Sequence, residues 1–99
     1  MAFLPEGLSE GVVLLPSAAK DLEKLLKQNP VDFRHVWDDL VRLGQGSLPW
    51  QGRKKLKGID AFQFDSGRYR VVYSQKGPQW VIRAVFDKPS QKLRLKALR

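Results

Sequence analysis

The chain has 99 residues, 18 Lys/Arg against 10 Asp/Glu, a net charge of +8 and no cysteine. That length suits one domain over 1–99 with a modest core, and the missing cysteine rules out disulfides and thiolate metal sites. No apolar run approaches the roughly 20 residues of a membrane span, and the start, MAFLPEGLSEGVVLLP, lacks the basic opening of a signal peptide, so a cytoplasmic protein is expected.

Gly11 to Leu15 is a short β-branched and leucine run that predicts a first strand. Pro16-Ser17 ends it and opens a helix, with Ser17 the expected N-cap. Ala18, Leu22, Leu25, Leu26 and Asn29 follow helical spacing, while Lys20, Glu23, Lys24 and Lys27 lie mainly outside. Asn29-Pro30 stops this helix and starts another, Asn as cap and Pro at the first position. Phe33, Val36, Trp37, Leu40 and Val41 share one face of the second helix, which Gly44 and Gly46 end. Almost no loop separates the two, which predicts a helical hairpin.

Residues 48–58 form a polar connection punctuated by Gly and Pro, with Arg53, Lys54, Lys55 and Lys57 near its end. Ala61 to Phe64 starts a strand, and Ser66-Gly67 signals a tight turn. Arg68 to Ser74 is the strongest strand, with Tyr69, Val71 and Tyr73 on one face and Arg68, Arg70 and Val72 on the other. Lys76-Gly77-Pro78 turns the chain into Gln79 to Phe86, where Trp80, Ile82, Ala84 and Phe86 share one face and Val81, Arg83 and Val85 the opposite one. Turns this short predict an antiparallel meander, which the first strand must join. The expected fold class is α+β: two N-terminal helices packed on a small, mostly antiparallel four-stranded sheet. Ser90 to Arg99 suits a strand or a helix equally.

Charge is uneven along the chain. Residues 1–50 hold five Lys/Arg and seven Asp/Glu, a balance of −2; residues 51–99 hold thirteen and three, a balance of +10. A basic half on a small domain implies a polyanionic partner: nucleic acid, an acidic protein segment or a membrane surface. Enzyme signatures of the usual kinds are missing. The one histidine, His35, sits mid-helix with no metal-ligand spacing around it, and no nucleophile motif or phosphate-binding glycine loop occurs. Asp60 and Asp65 near strand ends are ordinary turn chemistry.

What remains is arginine and lysine on a sheet. Arg68 and Arg70, two apart, leave the same face; Arg83 joins them if register allows, and Lys88 stands at the end of the last strand. Such a cluster clamps a phosphodiester with forked, charge-assisted hydrogen bonds. It also stabilises the extra negative charge of a pentacoordinate phosphoryl transition state. The plainer alternative is pairing with helix acids, and the scarcity of acids in the second half favours a ligand instead. Most aromatics fall at period two in strands and suit the core, whereas Trp50, beside the basic cluster, suits base stacking or a lid over the core edge.

The order of parts resembles the RelE/ParE toxin superfamily of bacterial type II toxin–antitoxin systems, from about Val12 to Lys88. The resemblance rests on Leu56-Lys57-Gly58, on Gly67-Arg68-Tyr69-Arg70-Val71-Val72-Tyr73 and on the closing VIRAVFDK. It implies a cognate antitoxin that wraps and neutralises the toxin, here expected to present an acidic, amphipathic segment to the arginine face. In the RelE-like branch it implies cleavage of messenger RNA in the ribosomal A site, the RNA's own 2′-hydroxyl attacking, with no metal or cofactor. In the ParE-like branch it implies inhibition of DNA gyrase. The family's Tyr-Arg arginine falls on Arg70, and its basic residue after the last strand falls near Lys88. The expected catalytic set is Arg70, Arg68, Arg83 and Lys88, and the expected RNA-binding set is Arg53, Lys54, Lys55, Lys57 and Trp50. Two departures stand out: Ala61-Phe62-Gln63-Phe64 carries no lysine where RelE-like nucleases have them, and no tyrosine or histidine follows Tyr73. The leading expectation is a ribosome-dependent mRNA interferase, monomeric when free and with no membrane partner. The alternatives are a gyrase inhibitor and a catalytically silent partner-binding member.

Overall fold

A three-residue strand, β1 (Val12–Leu14), leads into helix α1 (Pro16–Gln28), and one residue separates that helix from α2 (Pro30–Gly44). The computed structural model describes residues 4, 5, 8, 10–46, 54–56, 58 and 60–98. Its second half supplies β2 (Lys54–Lys55), β3 (Phe62–Ser66), β4 (Tyr69–Lys76) and β5 (Gln79–Asp87), then a 3-10 turn (Lys88–Ser90) and α3 (Gln91–Leu98).

Both helices of the hairpin start with proline, and the two starts differ. Asn29 caps α2 as expected: its side-chain oxygen accepts from the Asp32 amide at 3.1 Å, and its side-chain nitrogen donates to the Asp32 carboxylate at 2.8 Å. Ser17 does not cap α1. Leu15 holds the cap position without a side-chain bond, and the helix begins at Pro16, whose φ is preset for it. The Ser17 hydroxyl instead donates to the Arg83 carbonyl at 2.8 Å.

The sheet runs in the order β1-β5-β4-β3-β2. The four expected strands are β1, β3, β4 and β5; β1 pairs β5 in parallel, the meander is antiparallel, and two-residue β2 extends the edge. Leu22, Leu25, Phe33, Val36, Trp37, Leu40 and Leu43 pack against Phe64, Val71, Tyr73, Ile82 and Val85, so α1 and α2 cover one face of the sheet. Phe33 stacks on Trp37 with ring centres 5.5 Å apart, and Tyr73 meets Phe62, Phe64 and Trp80. The strand aromatics are therefore core.

Simple alternation fails in β5. Val72 pairs with Ala84 but Tyr73 pairs with Ile82, so Arg83 is an extra residue in a β-bulge. One inserted residue inverts the parity of everything after it. Val85 then joins Ile82 in the helix-side core, while Ala84 and Phe86, expected beside Trp80 and Ile82, turn to the outer face. There they meet Ala61, Val72, Leu56 and Leu95. The tail resolves as a helix: the Asp87 carboxylate accepts from the Ser90 amide at 3.2 Å, and α3 lays Leu95 and the Arg94 guanidinium against Phe86. No helix among the described residues is long and apolar enough to cross a membrane.

Candidate functional site

The tight turn between β3 and β4 builds the site. Gly67 has φ +61°, a left-handed conformation that favours glycine, and it lets the strands reverse over two residues. The register that follows pairs Ser66 with Tyr69 and Asp65 with Arg70. Directly opposed residues share a face. Since Tyr69 and Val71 pack toward the helices, Arg70 and Asp65 stand on the outer face.

Asp65 is the hub. Arg70 Nε donates to its Oδ1 at 3.0 Å, and Lys88 Nζ lies 3.5 Å from its Oδ2. Two cations, one from the start of β4 and one from just past β5, thus converge on one half-exposed carboxylate. The Arg70 side chain is only 25% exposed, so its guanidinium is held against the sheet. Lys88 is brought there by the end of β5, where its amide donates to the Arg68 carbonyl at 3.2 Å. A groove of about 540 Å³ lined by Gly67, Arg68, Asp87, Lys88 and Pro89 opens beside it.

The other predicted residues are not gathered into this cluster. Arg68 lies in the turn rather than in the strand, and its guanidinium stands 4.0 Å from Asp32 of α2, toward the helix layer and away from the face of Arg70. Arg83 is the bulge residue, three positions before the Arg70 partner Phe86, roughly 10 Å along the strand. Among the described residues no carboxylate pairs with Arg83. Lys55 is exposed in β2, and Lys54 belongs to the same strand, opposite Gln63. Arg53, Lys57 and Trp50 lie outside the described residues.

Carboxylates are less scarce around these cations than the basic half suggests. Asp32 and Asp21 cross over from the helices to reach Arg68 and Arg94, and Asp65 serves Arg70 and Lys88. Asp65 is also the residue that sequence reasoning missed. The signal was present: Asp65 and Arg70 are equidistant from the Gly67-Arg68 turn, which makes them cross-strand partners in a two-residue hairpin. On the same face Gln63 is 6% exposed, and its side-chain oxygen has no hydrogen-bond partner among the described residues.

His35 and both tyrosines are on the other side. His35 lies 3.7 Å from Asp39 on α2, whose buried carboxylate accepts from the Ser66 hydroxyl at 2.6 Å. Tyr69 packs toward the helices, where burial first, and then Asp32 and Asp87, push its hydroxyl above the ordinary 10.0 against a smaller opposing pull from Arg68.

Solved structures place this architecture. A chain of the toxin–antitoxin complex RelBE2 from Mycobacterium tuberculosis matches with a TM-score of 0.64 at 24% identity, over 78% of this chain and 95% of that one. The fold is RelE-like. A chain of the RelB-RelE antitoxin–toxin complex from Methanococcus jannaschii matches at 0.62 and 22% identity, over 83% and 96%. The YoeB dimer from Staphylococcus aureus matches at 0.64 and 16% identity, over 82% and 97%. No protein-family model matches the sequence, and neither does any curated protein. Within this RelE-like fold the outer sheet face carries Arg70, Asp65 and Lys88.

Proposed function

We propose that this chain is the toxin of a type II toxin–antitoxin pair and that it cleaves messenger RNA on the ribosome. The observation that carries the reading is the convergence of Arg70 and Lys88 on one anionic group at the outer face of a RelE-like sheet. The strongly basic second half supports it by suiting an RNA-rich target.

In this reading Arg70 binds the scissile phosphate and Lys88 supports a second phosphate oxygen. The ribose 2′-hydroxyl attacks phosphorus and loses its proton to water, the bond to the 5′-oxygen breaks, and that oxygen takes a proton from water. The products are a 2′,3′-cyclic phosphate and a free 5′-hydroxyl. The protein's part is electrostatic: cations already in place stabilise the charge that builds on the phosphoryl oxygens. Arg68, Arg83, Lys54, Lys55, Arg53, Lys57 and Trp50 serve to hold the RNA on either side. The antitoxin covers the same face with an acidic, amphipathic segment. Primer extension on translated mRNA tests this directly. Wild type is expected to cut within codons on the ribosome, and Arg70→Ala to lose about 100-fold or more of that activity. Intact transcripts with both proteins would refute the nuclease reading.

One observation favours a second reading, a non-enzymatic inhibitor of DNA gyrase. His35, Tyr69 and Tyr73 all lie away from the face of Arg70, so no histidine or tyrosine among the described residues is placed beside it for proton transfer. Gyrase supercoiling that continues unchanged at micromolar protein would dispose of it.

A further inference from the structure

Asp65 binds the two cations that the proposed chemistry needs, and the way it does so gives it a role. Its Oδ1 takes Nε of Arg70 and its Oδ2 faces Lys88. Nε is the one guanidinium nitrogen on the stem side. The two terminal nitrogens, the edge that grips a phosphate bidentately, make no hydrogen bond among the described residues. A chain of net charge +8 drives neighbouring cations apart unless something holds them. We infer that Asp65 is the positioning residue for Arg70: it fixes the guanidinium so that its terminal edge faces the RNA phosphate, and it keeps Lys88 beside it. The inference rests on the RNA-cleavage reading above.

The carboxylate acts on binding and on cleavage in opposite directions. A negative charge next to the phosphate site repels RNA, whereas a fixed guanidinium favours the transition state over loose alternatives. Removing the charge therefore leaves RNA affinity unchanged or raises it while slowing cleavage. A residue needed only for folding does not separate the two in that way.

Single-turnover cleavage of mRNA on programmed ribosomes, with wild type, Asp65→Asn and Asp65→Ala, reads the split. The Arg70 Nε–H resonance in 15N-edited spectra of the same proteins reads the positioning itself. Asp65→Ala is expected to slow cleavage roughly 10- to 100-fold, with half-saturation at the same or lower protein concentration. Asp65→Asn, nearly isosteric and still offering an oxygen to Nε, is expected to fall in between, and it keeps the test open if the alanine variant does not fold. Unchanged or faster cleavage in both variants would overturn the inference, since Asp65 would then be a spectator or a competitor for the phosphate site. If wild type itself cuts no RNA, the cleavage reading fails and the resonance decides the positioning. A dispersed, slowly exchanging signal in wild type that collapses in Asp65→Ala upholds it, and a signal already averaged in wild type overturns it.

Discussion

Arg70 is one of several cations in the second half of the chain, and its neighbours set it apart. Arg68 projects from a turn and is 76% exposed, free to sample many conformations at little cost. Arg70 is packed against a strand and bonded through Nε, so less entropy remains to be lost when it grips an anion. Tyr69, next in sequence, faces the other way and reports on the helix–sheet seam. Its hydroxyl is pushed above 10.0 by burial and by Asp32 and Asp87. The folded chain thus keeps this proton after the unfolded chain has lost it. The stability involved is complete below pH 10.0 and drains away as the pH rises through the folded value. Denaturant midpoints of wild type and Tyr69→Phe should therefore diverge only above about pH 10, the phenylalanine variant falling less steeply.

At the scale of elements, the edge of β5 beyond β1 is the informative place. Strand β1 ends opposite Ile82, which leaves the next backbone groups of β5 without a strand partner. Helix α1 supplies side chains instead: Ser17 donates to the Arg83 carbonyl, and Asp21 accepts from the Val85 amide at 2.9 Å. The same Asp21 carboxylate pairs with Arg94 of α3 at 2.5 Å. One buried-side acid therefore closes a sheet edge and anchors the C-terminal helix. Asp21→Ala is expected to cost about 2 kcal/mol, the price of an amide left unpaired and an arginine left alone. Urea unfolding measures the loss, and hydrogen exchange should accelerate first at Val85 and along α3. The helix faces and the Asn29 cap were legible in the sequence because they follow from local periodicity and capping chemistry. The bulge at Arg83 was not, because parity along a strand depends on the register of the strand beside it.

For the whole molecule, the division of charge is the dominant feature. The helical half carries −2 and the sheet half +10, yet they are not insulated from each other. Asp32 and Asp21 spend part of the acidic half on Arg68 and Arg94, and among the described residues the carboxylate paired with Arg70 and Lys88 is Asp65. RNA affinity should therefore fall steeply between roughly 50 and 200 mM salt. On a short single strand, Arg70→Ala should flatten the logarithmic slope by roughly 0.7, the value of one phosphate contact. Fluorescence anisotropy across that salt range checks both. A slope unaltered by the substitution would mean that Arg70 touches no phosphate in the bound state.

By itself the sequence determined the α+β class, the helical hairpin and the meander, because each depends on residues close together in the chain. Helical periodicity and turn chemistry act over a few residues and survive without knowledge of the partner. Only the tertiary structure decided which cations work together. It sent Arg68 toward Asp32 and set Arg83 in a bulge. It also covered Phe86 with α3 and drew Arg70 and Lys88 onto Asp65. Those outcomes depend on register between strands and on helices crossing over the sheet. A carboxylate's partners are set by what lies within a few ångströms in space, and that distance is not written in the spacing of residues along the chain.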